Sequence, residues 1–257
     1  MKEFFGFGGY TRLPEGYMSW QHLLFVSSLM AIMITLAIIF GRKFRNETED
    51  KKNKVLIWAA ILIDSLEIFK IILMSFRGND PLTFTRELPL YLCSIQLITI
   101  PLAAFSHGRI REAALDFVFI FGILGAVFGT YFAGQNYGCY PVLSFDNVIS
   151  GITHSISGFA SLYIAISNSA SMKKRNIYIT FIILFGFCIS AYIVNQILDT
   201  NYMFLMRGDG TPYDILYNLT NGGIIYSIGV VLLFVLYITA FNYIFNLIKN
   251  RNKKTNE

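Results

Sequence analysis

Charge is scarce in this sequence. Only 14% of its 257 residues are Asp, Glu, Lys or Arg and 54% are hydrophobic, too apolar a balance for an ordinary globular domain of this size. The composition predicts an all-α, polytopic integral membrane protein. Cysteine is scarce too: Cys93, Cys139 and Cys188 are too few and too scattered for a disulfide framework or a CxxC metal site. With three histidines and no HxxxH or HExxH spacing, no metal and no other cofactor is expected. A net charge of +5 would suit nucleic acid only if it formed a basic face on a folded domain. Here the basic residues fall in the breaks between apolar runs, so membrane lipids are the expected partners and nucleic acid is not. The chain shows no internal repeat, soluble domain or low-complexity linker, and the whole of 1–257 reads as one membrane domain.

What the sequence does have is seven apolar runs, at about 20–40, 55–74, 89–105, 113–132, 148–166, 177–198 and 223–248. Each approaches the roughly 20 residues needed to cross a bilayer. The first lacks a small-residue cleavage site and is read as a retained span. A turn signal, Gly78-Asn79-Asp80-Pro81, follows the second. Counting Lys and Arg on alternate sides gives fifteen against five, so the bundle of seven transmembrane helices is expected to have its N-terminus outside and its C-terminus cytoplasmic, multi-pass in the cell membrane.

Polar residues inside a membrane mark candidate sites. At about 1.5 Å per helical residue, Cys93 lies roughly 6 Å below the outer end of its span, Gln96 roughly 10 Å and His154 roughly 9 Å. On the same scale Glu67 is roughly 10 Å down and Asp64 roughly 15 Å, while Asn195 and Asn201 cluster at the outer mouth. If they face one interior, the bundle has a polar chamber open to the outside. His154 belongs to a stripe of Asn147, Ser150, Gly151, Ser157, Gly158 and Ser161, whose small residues also suit close helix packing.

Cys93 and His154 are the candidate catalytic pair. A thiolate formed by a neighbouring imidazole attacks acyl groups, given hydrogen-bond reach and a third group to orient the ring. Glu67, Gln96 and Asn201 are candidates for that third group, Gln96 and Asn201 for holding an oxyanion, and Asn195 for binding substrate. Cys188, between Phe187 and Ile189, reads as packing. The alternative is a proton-coupled transporter or ligand-binding protein using Asp64, Glu67 and His154, with Glu67 and Lys70 as a compensated ion pair in the plainest case. The aromatic and methionine loop 201–212 is read either as a cap over the chamber or as an interfacial belt.

The Leu88-Pro89-Leu90-Tyr91-Leu92-Cys93 run, the span containing His154, and Asn201-Tyr202-Met203-Phe204-Leu205 followed by Pro212 together resemble the YwaF-type family of bacterial integral membrane proteins. That family is similar to vertebrate transmembrane phospholipid acyltransferases, whose cysteine and histidine match Cys93 and His154 by motif and order. The resemblance implies an intramembrane acyltransferase or lipid hydrolase acting on glycerolipid esters, with Cys93 accepting the acyl chain and His154 as base.

Overall fold

The computed structural model describes residues 2–78, 85 and 87–255, with side chains as far as Lys249. The expected turn at Asn79-Asp80-Pro81, and Arg86, lie outside the described residues. The chain divides into two compact units, Met1–Ser171 and Met172–Glu257.

The first unit holds α1 (Trp20–Phe44), α2 (Glu49–Gly78), α3 (Gln96–Phe105), α4 (Gly108–Tyr131), the short α5 (Gly134–Cys139) and α6 (Phe145–Ile166). Local sequence sets their ends. Ser19 caps α1 by accepting the His22 N–H at 3.2 Å, and Arg42 and Lys43 sit in its last turn, where the helix dipole favours cations. Glu49 and Asp50 occupy the first turn of α2. Ser144 caps α6 by accepting the Asn147 N–H at 3.3 Å.

α4 is the axis of this unit, packing on α6 along most of its length and on α3 on another side. Small residues let the backbones approach: a Cβ on Gly122 would stand 2.7 Å from the Ser157 carbonyl oxygen of α6. Ser161 Oγ donates to the Phe119 carbonyl at 2.8 Å, closing the same seam. A core of Leu56, Ala60, Ile100, Ala104, Ala114, Val118 and Ala160 joins α2, α3, α4 and α6.

The second unit holds a 3₁₀ turn (Lys174–Asn176), α7 (Ile177–Leu198), a second 3₁₀ turn (Tyr202–Phe204), α8 (Tyr213–Thr220) and α9 (Gly223–Thr255). The loop at 199–212 folds onto its own unit. Tyr202, Met203 and Leu205 are buried there, with Tyr226 Oη donating to the Phe204 carbonyl at 2.7 Å and Ser227 Oγ to the Leu205 carbonyl at 2.6 Å. Those side chains pack inward and do not form a belt.

Among the described residues, five stretches are long and apolar enough to cross a membrane: Trp20–Phe44, Gly108–Cys139, Phe145–Ile166, Lys174–Leu198 and Gly223–Lys249. Two of the seven expected spans differ from these. α2 has the length but carries Asp64, Glu67 and Lys70 along its apolar run. The 89–105 run is helical only from Gln96, so α3 has ten residues, about 15 Å of rise. Pro89 lacks an N–H and holds the chain extended ahead of it, which favours a turn over a helix through 91–95.

Candidate functional site

Cys93 lies in the turn that leads into α3. Tyr91 N–H donates to Ser94 Oγ at 3.0 Å, Ser94 Oγ donates back to the Tyr91 carbonyl at 3.2 Å, and Ile95 N–H reaches the same carbonyl at 2.9 Å. Such a serine-closed turn fixes the backbone without a helix on both sides. The thiol is therefore carried on a short, internally bonded turn.

His154 projects from α6. Its Nδ1 donates to the Ser150 carbonyl one turn back at 2.7 Å, with Ser150 Oγ 3.5 Å away. A carbonyl only accepts, so Nδ1 carries the proton and neutral Nε2 is left with a lone pair. The Cys93 turn and the His154 imidazole lie against the same face of α4, one over Gly125 and the other over Gly129, so thiol and ring are neighbours. Both residues are half-buried.

A bed of glycine supports the pair. On α4, a Cβ added at Gly129 would overlap the His154 imidazole, and one at Gly125 would come 3.3 Å from the Cys93 Cα. Gly122, Gly125 and Gly129 are spaced three and four apart, so they share one face of the helix. Their spacing is the signal that sequence reading passed over. Without Cβ atoms there, the turn and the ring meet against bare helix backbone.

Gln96 begins α3 and is fully buried. Its Oε1 accepts the Thr99 hydroxyl at 3.0 Å, while Nε2 has no hydrogen-bond partner among the described residues. An unpaired buried N–H donor is costly, and functional sites are where such groups persist.

Glu67, Asn195 and Asn201 are engaged with other partners. Glu67 binds Lys70 at 2.5 Å, and Lys70 also binds Glu87 at 2.9 Å. Among the described residues the His154 ring is oriented by the Ser150 carbonyl and by no carboxylate. Asp64 has no hydrogen-bond or ion-pair partner among the described residues. Asn195 and Asn201 belong to the second unit and tie down its loop. Asn195 Oδ1 accepts the Tyr202 N–H at 2.7 Å, and its Nδ2 donates to the Tyr202 carbonyl at 3.0 Å. Asn201 Oδ1 accepts the Met206 N–H at 2.9 Å, and its Nδ2 donates to the Arg207 carbonyl at 2.8 Å. Both amides thus have partners at both ends. Cys188 is buried, with its thiol 3.7 Å from Met203 Sδ.

The segment before α1 is fastened to the start of α6. Arg77 at the end of α2 makes a two-pronged pair with Asp146, at 2.6 and 2.9 Å, and donates to the Phe5 carbonyl at 3.2 Å. Tyr10 also donates to Asp146. Burial, then the bond to Asp146 and its negative charge, push the Tyr10 hydroxyl up to about 12. Asp146 lies eight residues before His154, so this fastening anchors the helix that carries the ring.

Among the described residues, no three His, Cys, Asp or Glu side chains gather as a metal site. The model of the TMEM164 family matches residues 17–240, which includes the Cys93 turn, the glycine bed and His154. The chain belongs to the TMEM164 family. It is a membrane protein with several apolar helices, and within this TMEM164 member the match runs through both compact units. No curated protein and no solved structure matches the chain.

Proposed function

We propose that this TMEM164-family protein is an intramembrane acyltransferase or lipid hydrolase of the cell membrane that acts on glycerolipid esters through Cys93 and His154. The observation that carries this reading is a thiol and an imidazole set side by side on the glycine face of α4, with the imidazole Nδ1–H already held by the Ser150 carbonyl. The likeness of its Leu88–Cys93 and Asn201–Leu205 runs to YwaF-type proteins, and through them to phospholipid acyltransferases, adds support from outside the geometry.

In the first half-reaction, His154 Nε2 takes the Cys93 proton and the thiolate adds to the ester carbonyl carbon. The tetrahedral oxyanion is a partner for the free Gln96 N–H. Collapse breaks the carbon–oxygen bond, the leaving alkoxide takes the proton from His154, and a thioester remains on Cys93. In the second, an alcohol or water gives its proton to His154 and attacks the thioester, and the departing thiolate is reprotonated. An alcohol makes the protein a transferase; water makes it a hydrolase.

Seven crossings with the N-terminus outside belong to the same proposal. α2 crosses with its charges offset by the Glu67–Lys70–Glu87 group, and α3 crosses together with the turn ahead of it. The fifteen-to-five distribution of Lys and Arg supports that orientation. Glu67 is paired with Lys70, which leaves Asp64 and His154 to the transport alternative.

Intact-mass analysis of the protein purified in lipid tests the proposal. Wild type is expected to carry a hydroxylamine-sensitive acyl adduct that is absent from Cys93→Ala. A wild type that stays unmodified with every glycerolipid class supplied would refute it.

A further inference from the structure

The backbone N–H groups that open α3 all have carbonyl partners. Gln96 N–H donates to the Cys93 carbonyl at 3.4 Å, Leu97 N–H to that of Ser94 at 3.0 Å, and Ile98 and Thr99 N–H both to that of Ile95 at 2.9 Å. The end of α3 that adjoins the thiol therefore has no backbone donor left to meet a developing negative charge. A side chain has to supply one, and Gln96 Nε2 is fully buried and without a hydrogen-bond partner among the described residues.

A carboxamide donates from only one of its two arms, so what it offers depends on which way round it sits. Thr99 sets this. It follows Gln96 by three residues on α3, is also fully buried, and its hydroxyl donates to Gln96 Oε1 at 3.0 Å. A threonine hydroxyl in a helix commonly gives its proton to the carbonyl four residues back. Here that carbonyl belongs to Ile95, and its two lone pairs already take the Ile98 and Thr99 N–H groups. The hydroxyl proton goes to the amide oxygen, and the NH2 arm is left free.

We propose that Thr99 is a positioning residue for the acyl chemistry of Cys93, holding the Gln96 carboxamide so that its NH2 arm is turned toward the cysteine turn. The inference rests on the Cys93–His154 reading and deepens it. Cys93, Gln96 and Thr99 are spaced three apart and share one face, and helical side chains lean toward the N-terminal end, where the cysteine turn lies. As the thiolate adds to the ester carbonyl carbon, the π electron pair moves onto the carbonyl oxygen, which accepts a hydrogen bond from Nε2. With the amide turned over, Oε1 would stand there and repel that charge.

Single-turnover acylation of the full chain in lipid, followed by intact mass, tests it. Phosphatidylcholine, phosphatidylethanolamine and phosphatidylglycerol are supplied in turn as acyl donor, and rates are taken per folded protein. Gln96→Met is expected to slow acylation about 10²-fold, as for loss of one oxyanion donor. Thr99→Val, close in shape but without the hydroxyl, is expected to slow it about fivefold, in the rate at saturating lipid and not in the half-saturating concentration. Thr99→Ala gives a second variant without the hydroxyl and the same expected loss, and Thr99→Ser is expected to recover most of it. On the Gln96→Met background, Thr99→Val is expected to slow acylation no further, whereas a merely structural threonine would slow both backgrounds alike. Thr99→Val and Thr99→Ala proteins that acylate as fast as wild type, or equal slowing on the two backgrounds, would overturn the inference and leave the Cys93–His154 reading standing. A wild type that takes an acyl group from none of the three lipids would remove both.

Discussion

His22 and His154 both lie in the first unit, one at the start of α1 and the other on α6, and their hydrogen bonds separate them. His22 is fully buried, stacks 3.9 Å from the Tyr137 ring centre, accepts the Met18 N–H at Nδ1 and donates from Nε2 to the Thr130 carbonyl. Both nitrogens are committed to backbone. His154 is half-buried and commits only Nδ1, leaving Nε2 as a base. The two thiols divide in the same way: Cys188 is packed against a methionine, and Cys93 lies beside an imidazole. Residue type and apolar surroundings are shared, so what separates structure from chemistry is which atoms remain unpaired.

The largest effects should fall along that division. Cys93→Ala is expected to abolish the acyl adduct, while Cys188→Ala leaves it intact and lowers stability by about 1 kcal/mol. His154→Ala is expected to slow acylation by about 10²- to 10⁴-fold, the usual range for loss of a general base. His22→Ala is expected to do the reverse: acylation by the folded fraction stays near wild type, and the melting temperature falls. Two hydrogen bonds and a ring contact are lost there, about 2–4 kcal/mol. Time-resolved intact mass and thermal unfolding, run side by side on the four variants, separate the two outcomes. A His22→Ala protein that melts normally and fails to acylate would collapse the comparison.

Much of this was legible in the sequence, for a physical reason. Apolar run length and the positions of Lys and Arg are one-dimensional properties, so the helical membrane class and the extents of α1, α4, α6, α7 and α9 could be read directly. Depth along a helix is nearly one-dimensional too, which is why Cys93 and His154 were matched. Rotation about a helix axis is not, and there the reading ran out. The Ser150 carbonyl that orients His154 belongs to every residue's backbone and leaves no sequence mark. Asn195 and Asn201 matched the pair by depth, but their amides close a loop of the second unit. The cysteine turn departs from the expected helix because Pro89 and Ser94 favour a bonded turn, a local preference outweighed in the reading by hydropathy.

The glycine bed offers a finer test, since it changes geometry and leaves both reacting groups in place. Gly129→Ala adds one methyl group where the His154 ring lies. The ring must move, and a misplacement of about 1 Å costs up to about 10²-fold in rate. Gly186→Ala on α7, where the added Cβ meets nothing within 4 Å, is the control; it should leave acylation unchanged and raise stability by about 0.5–1 kcal/mol through helix propensity. If Gly129→Ala acylates as fast as wild type, the ring does not need its bed.

The smallest effect concerns the fastening ahead of α1, and its sign follows from Tyr10. The hydroxyl is raised from 10.0 to about 12, first by burial and then by Asp146, with Arg77 acting the other way. A raised pKa in the folded protein means that folding favours the protonated phenol. Its contribution is complete below pH 10 and is lost as the pH climbs from there through about 12. The difference in tyrosinate absorbance between wild type and Tyr10→Phe should therefore titrate near 12. Asp146→Asn removes both the acceptor's charge and the partner of Arg77, so it is expected to bring that midpoint back toward 10 and to release the residues before α1 to proteolysis. A midpoint at 10 in the wild type would mean that the phenol is not held by Asp146, and that the start of α6 is anchored by Arg77 alone.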